Sequence, residues 1–91
     1  MTPEMITFAP LAKPPYESFD QRLRKIMRIR GLCAAHLERR SRVDATAISK
    51  LCAGKSKPTF WTLVELASAL NVSIDWLVGL TDEMRPLKLE D

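Results

Sequence analysis

Apolar side chains recur at helical spacing in five stretches of the chain, and this pattern predicts five short helices. The first stretch has apolar residues at positions i, i+4, i+7 and i+8, which form one face of a helix. They are Phe19, Leu23, Ile26 and Met27. The inward-facing positions predicted for the later helices are Leu37, then Ile48, Leu51 and Cys52, then Leu63, Leu66, Ala67 and Leu70, and finally Ile74 and Leu77. No stretch alternates with a period of two, so no strand is expected.

Capping residues set the helix boundaries. Ser18 and Gln21 fit the capping-box pattern, and Gly31 stands where a left-handed C-terminal cap is expected. The other boundary residues are the N-caps Asp44, Thr59 and Ser73, the C-terminal Asn71, and the terminating glycines Gly54 and Gly79. The second and third helices are therefore expected at 33–40 and 44–53, with a turn near 41–43 between them.

The two ends of the chain differ from its middle. Residues 1–17 contain four prolines, which disfavour helix and predict an extended arm. Residues 80–91 are expected to form a short tail, because Pro86 prevents a continuous helix there. The folded domain is predicted to span residues 18–79.

The basic residues are concentrated in the middle of the chain. The formal net charge is only +3, but residues 19–57 hold eleven Lys and Arg side chains against three Asp and Glu. Such a block predicts a polyanionic partner, although a solvated basic surface without a partner would show the same pattern. The turn between helices 33–40 and 44–53 favours a polyanionic partner over a merely solvated surface. Two short helices at a steep angle expose the start of the second helix, and an exposed helix of this kind fits into the major groove of DNA.

Several other functions are disfavoured by size and composition. A chain of 91 residues holds one modest core, with little room for a substrate cavity, so no enzyme activity is expected. Two cysteines and one histidine do not complete a zinc site, and neither a metal nor another cofactor is expected. No apolar run is long enough to cross a membrane, and a cytoplasmic, nucleoid-associated protein is predicted.

Residues 19–79 resemble the lambda-repressor and Cro-type helix-turn-helix domains of phages and bacteria. The matching residues in order are Arg22-Leu23, Gly31-Leu32, Leu37, Val43, Ile48-Ser49, Leu51, Gly54-Lys55, Lys57-Pro58, Leu63, Leu66-Ala67, Leu70-Asn71-Val72-Ser73, Asp75-Trp76-Leu77 and Gly79-Leu80-Thr81-Asp82. The resemblance implies an all-α, five-helix lambda-repressor-like bundle. The chain departs from the family pattern at Glu38, Ser41 and Arg42, where a small residue, a leucine and a glycine are usual. Glu38 and Arg42 are four residues apart and are expected to form an ion pair.

The resemblance also implies roles for individual positions. The third helix would be the recognition helix, with base edges facing Ala45, Thr46, Ser49 and Lys50. Phosphate contacts would come from Lys55, Ser56 and Lys57 in the following loop, from the backbone at Cys33 and Ala34, and from Arg22 and Arg39. His36 is a further candidate for a phosphate contact when protonated.

The aromatic residues leave two interpretations open. Phe60 and Trp61 are adjacent, so one of the two must face outward. The pair either packs under the preceding loop, or presents an aromatic edge beside the backbone-binding loop or in a dimer contact. Trp76 is expected in the core or, with Val78, Leu80 and Met84, in a dimer surface.

Two functions remain in competition at this point. The first is a sequence-preferring double-stranded DNA-binding transcriptional regulator, a repressor acting as a homodimer. The second keeps the helix-turn-helix fold but mainly binds a partner protein through residues 1–17, as an antitoxin-like protein would.

Overall fold

Five helices make up the computed structural model, which describes residues 17–85. They are α1 (Phe19–Arg30), α2 (Ala34–Arg40), α3 (Ala45–Cys52), α4 (Phe60–Leu70) and α5 (Ile74–Leu77). Residues 17–85 contain no strand. The predicted all-α fold and its five helices are therefore confirmed.

The predicted N-caps are where the helices begin. The Asp44 carboxylate accepts the backbone N–H of Thr46 at 2.8 Å, and the Ser73 hydroxyl accepts that of Trp76 at 3.0 Å. Ser18 precedes α1, and its backbone N–H donates to the Gln21 side chain at 2.9 Å, as in a capping box. These bonds satisfy N–H groups that have no partner inside their own helix.

Two helices end in a left-handed residue. Gly31 closes α1 at φ 70°, and Asn71 closes α4 at φ 59°. The Arg30 guanidinium reaches across from α1 and donates to the carbonyls of Leu70 at 2.9 Å and Asn71 at 3.3 Å. The cation thereby binds the carbonyl end of α4, which carries the negative end of the helix dipole.

The core lies where all five helices meet. Its buried apolar residues are Leu23, Ile26, Met27, Leu37, Val43, Ile48, Leu51, Leu66, Ala67, Leu70, Val72, Trp76 and Leu77. Helix α3 contributes only Ile48 and Leu51, and it packs against α1 and α2. One side of α3 is thus held by the core, while the other side faces solvent.

Arg22 lies inside the domain, with only 1% of its surface exposed. Its guanidinium lies 4.5 Å from the centre of the Trp76 ring and donates to the carbonyls of Trp76 at 3.0 Å and Thr81 at 2.9 Å. It also forms ion pairs with Glu17 at 2.8 Å and Asp82 at 3.2 Å. The prediction that Arg22 contacts phosphate is therefore wrong, because its donors are turned inward to join α1, α5 and the segment after α5.

The same packing excludes Trp76 from a dimer surface. Its side chain is 2% exposed and covered by Arg22, so it belongs to the core. Met84 is packed partly against the core, and Val78 is half-buried. Only Leu80, at 64% exposure, remains fully available among the four residues predicted for a dimer contact.

The segment after α5 folds back onto the domain. The backbone N–H of Ser73 donates to the Met84 carbonyl at 2.7 Å, and its hydroxyl donates to the Glu83 carbonyl at 3.1 Å. The backbone at Glu83 and Met84 thus lies against the start of α5. The predicted arm, apart from Glu17, and the last part of the predicted tail lie outside the described residues.

Candidate nucleic-acid interface

The outward face of α3 carries three of the four residues predicted to face bases. Thr46, Ser49 and Lys50 are exposed, and their spacing of three and four places them on one side of the helix. Ala45 is half-buried and offers less surface. The side chains that face solvent therefore include two hydroxyls and one ammonium group, which are hydrogen-bond donors suited to base edges or phosphates.

The turn between α2 and α3 is built without a left-handed residue. Ser41 has φ −115°, and its buried hydroxyl donates to the Leu37 carbonyl at 2.8 Å while accepting the Val43 N–H at 3.1 Å. Arg42 does not have a positive φ, so the turn does not require the glycine that is usual in the family. The two departures from the family pattern are thus compatible with the helix-turn-helix.

Glu38 and Arg42 are both exposed, and within residues 17–85 no ion pair joins them. The expected pairing of these two residues is therefore wrong. Both side chains extend into solvent, so Glu38 does not come between α2 and α3, where the usual small residue permits close packing. A negative charge nonetheless stays beside a surface that is otherwise basic.

The loop after α3 is held against the end of that helix. The backbone N–H of Lys55 donates to the Lys50 carbonyl at 2.9 Å, and Gly54 adopts φ 75°. Arg24 on α1 donates to the Cys52 carbonyl. Lys55, Ser56 and Lys57 are exposed. Lys55 is therefore held at the end of α3 by a backbone hydrogen bond, and Lys57 follows it by two residues.

The start of α2 has an unusual polar contact. The exposed Cys33 is its N-cap, and the Cys33 Sγ lies 3.3 Å from Nδ1 of the exposed His36. The backbone N–H of His36, more than the positive charge of Arg39, lowers the pKa of the Cys33 thiol below its usual value. The backbone N–H groups of this first turn therefore favour a negative charge at Cys33, as helix N-termini do. Ala34 is half-buried beside them.

The eleven basic residues of the 19–57 block divide into two groups. Four of them are engaged in bonds inside the domain: Arg22, Arg24, Lys25 and Arg30. The other seven are exposed and make no hydrogen bond or ion pair within residues 17–85: Arg28, Arg39, Arg40, Arg42, Lys50, Lys55 and Lys57. All four engaged residues belong to α1, whereas six of the seven others lie between α2 and the loop after α3. The free positive charge is thus concentrated on the helix-turn-helix.

A shallow basic cleft lies beside this surface. It has a volume of about 430 Å³ and is lined by Arg30, Gly31, Leu32, His36, Arg39 and Arg40. Arg39 and His36 are the two of these residues that were predicted from the sequence to contact phosphate. Arg40 and Arg42 were missed because their charge alone does not show that they lack partners inside the fold.

A clearer signal was available for Arg22. It stands three residues after Phe19 and four before Ile26, so it falls within the apolar stripe of α1. A basic residue in such a stripe points inward and needs internal partners. The helical spacing alone therefore predicts burial of this arginine.

Two classes of site are not found among residues 17–85. No group of His, Cys, Asp or Glu in that range is arranged to hold a metal ion. None of the helices there has both the length and the apolar character needed to cross a membrane.

A family model described as a helix-turn-helix matches residues 23–77, which is more than half of the chain. The match includes α2, α3 and the basic loop. A comparison with curated proteins found no significant match.

Proposed function

The chain belongs to the helix-turn-helix family of the lambda-repressor and Cro type, a DNA-binding regulatory family, and we propose that it is a sequence-preferring regulator of transcription that acts as a repressor on double-stranded DNA. The observation that carries the proposal is the division of the basic residues. The fold uses four of the five cations of α1 internally, while those around α3 have no partner in the described residues.

In this proposal, affinity comes mainly from phosphate neutralisation. Lys55 and Lys57 contact phosphates beside the groove, and Arg39 contacts another at the end of α2. Each neutralised phosphate releases condensed counterions, so binding weakens steeply as salt rises. These contacts fix the position of the domain but read no sequence.

Sequence preference comes from α3. Lys50 donates to guanine O6 or N7, and the hydroxyls of Thr46 and Ser49 contact neighbouring base edges. The recognition face lacks bidentate amides and arginines, so part of the preference comes from DNA shape.

A homodimer is part of the same proposal, because a single small domain seldom binds its site tightly. Two recognition helices would then lie about 34 Å apart, one turn of DNA. Leu80 supports this proposal as the remaining exposed apolar residue of the predicted dimer surface.

Binding to duplex DNA from upstream of the protein's own coding sequence, measured at several salt concentrations, tests the proposal. The plot of log K against log salt should have a slope of several units, about −0.9 per phosphate contacted. Lys50→Ala should weaken specific binding by about 1–3 kcal/mol and non-specific binding less. Lys55→Ala should weaken both alike and reduce the slope by about 1.

Arg85→Ala provides the matched control, since it removes an exposed cation outside this surface. It should change neither quantity appreciably. No binding to any duplex at low salt would contradict the proposal. Weak and equal binding to every duplex would favour the partner-protein function instead.

A further inference from the structure

Two aromatic side chains are exposed next to each other at the start of α4. Phe60 is 64% exposed and Trp61 is 71% exposed, and their rings meet edge to face with centroids 5.3 Å apart. One of them was expected to face outward, whereas both do. Large aromatic surfaces in water are unfavourable, and adjacent ones often mark a contact surface.

The surroundings of this pair are positively charged. Residues 45–64 contain three lysines, Lys50, Lys55 and Lys57, and no Asp or Glu. Lys57 precedes Phe60 by three residues, so their backbones lie within roughly 11 Å of each other. Glu65 lies one turn after Trp61 in α4, so three lysines and one acid give this stretch a net charge of +2. A ligand that covers the aromatic pair therefore also meets the loop lysines, and charge complementarity favours an anionic one.

A second copy of the chain fits this surface poorly. In a two-fold dimer the same patch would face itself, which would bring both sets of lysines together. Like charges in such an interface oppose association. A duplex presents the opposite combination, since phosphates alternate along its backbone with deoxyribose rings that expose apolar C–H groups.

We propose that Phe60 and Trp61 are the apolar part of the DNA contact and pack against deoxyribose rings next to the phosphates held by Lys55 and Lys57. This inference rests on the proposed DNA-binding function. Sugar contacts carry no base information, so the aromatic pair adds affinity for every duplex equally. It also releases no counterions, so it does not contribute to the salt dependence.

The intrinsic fluorescence of the protein tests the contact directly. The chain has two tryptophans, and Trp61 is 71% exposed whereas Trp76 is 2% exposed. Quenching by acrylamide therefore reports mainly on Trp61. Saturation with a short random-sequence duplex at low salt should reduce this quenching severalfold. Trp61→Phe retains only Trp76, and its emission should resist acrylamide with and without DNA.

Substitution provides the second measurement. Trp61→Ala should raise the Kd for specific and random duplexes alike by about tenfold and leave the salt slope unchanged. Ile29→Ala, which removes an exposed apolar side chain of α1 outside the 45–64 segment, should change neither.

The outcomes separate this inference from the proposed function. If the wild-type protein binds DNA while Trp61 stays equally open to acrylamide, the aromatic contact is refuted and the proposed function stands. Protection of Trp61 that depends on protein concentration without DNA also refutes it, because a second copy then covers the pair. If the wild type binds no duplex, both proposals fail.

Discussion

Replacing Arg22 tests whether this residue holds the fold together or binds DNA. Its guanidinium is buried, packs on the Trp76 ring and donates to two backbone carbonyls, those of Trp76 and Thr81. It also pairs with the carboxylates of Glu17 and Asp82. Arg22→Met keeps most of the side-chain volume but removes every donor and the charge.

The expected loss follows from these contacts. The Thr81 carbonyl would lose its guanidinium donor, and the Trp76 carbonyl would keep only the Gly79 N–H at 3.1 Å, so the lost hydrogen bonds from the charged guanidinium cost about 1.5–3 kcal/mol. The cation–π contact contributes about 0.5–2 kcal/mol. Together these losses amount to about 2–5 kcal/mol. The carboxylates of Glu17 and Asp82 are 36% and 78% exposed, so they stay hydrated and their ion pairs add little. Because the stability of a small domain is about 5–15 kcal/mol, the variant should be severely destabilised.

Urea unfolding followed by circular dichroism measures this loss. A decrease of about 3 kcal/mol corresponds to a Tm lower by at least roughly 12 °C in a domain of this size. Arg22→Lys should recover only part of it, since one ammonium group does not reproduce the planar, five-donor guanidinium. Arg28→Met is the matched control on the same helix, because Arg28 is exposed, and it should stay within about 0.5 kcal/mol of wild type. A stable Arg22→Met protein with weakened DNA binding would refute the structural role.

Four further substitutions test local features of the fold. Gly79→Ala should lower the free energy of unfolding by about 2–3 kcal/mol, because Gly79 has φ 89° and an added Cβ would lie 2.6 Å from a backbone carbonyl oxygen. Gly31→Ala has open space around the added Cβ and should lower it by only about 1–2 kcal/mol. Thermal unfolding measures both losses. Ser41→Ala should cost about 1–3 kcal/mol in urea unfolding, since it leaves a buried backbone N–H of the turn without its acceptor, and an unchanged midpoint would contradict this. The hydrogen bond from Lys25 lowers the pKa of the Glu17 carboxyl below 4.5. The stabilisation that this carboxylate gives the fold is therefore present above pH 4.5 and is lost as the pH falls through the pKa of the folded state. Glu17→Gln should therefore be less stable than wild type at pH 7 and equally stable in strong acid, and a difference independent of pH would argue against the ion pair.

Local signals were sufficient to predict the helices. Asp44 and Ser73 are caps because their side chains accept N–H groups two or three residues ahead, which depends only on nearby sequence. Gly31 and Asn71 likewise end helices because they tolerate the left-handed conformation. Such short-range rules place helix boundaries without knowledge of the tertiary fold.

The candidate site was harder to predict, because exposure and partnership depend on residues distant in sequence. Arg22 and Arg39 are both basic residues of predicted helices, yet one is buried against Trp76 and the other is exposed. Arg24 binds the carbonyl of Cys52, which is 28 residues away. A count of charged residues along the sequence gives each of these cations the same weight. Only the tertiary structure distinguishes the cations that bind groups inside the domain from those that face solvent.

The pairing of Glu17 and Asp82 with one guanidinium has a topological consequence. The backbone that leads into α1 and the backbone that follows α5 are thereby brought together at the same pole of the domain. A circular permutant whose original ends are joined by a flexible linker, and whose new ends lie in the surface loop at residues 53–59, should therefore still fold.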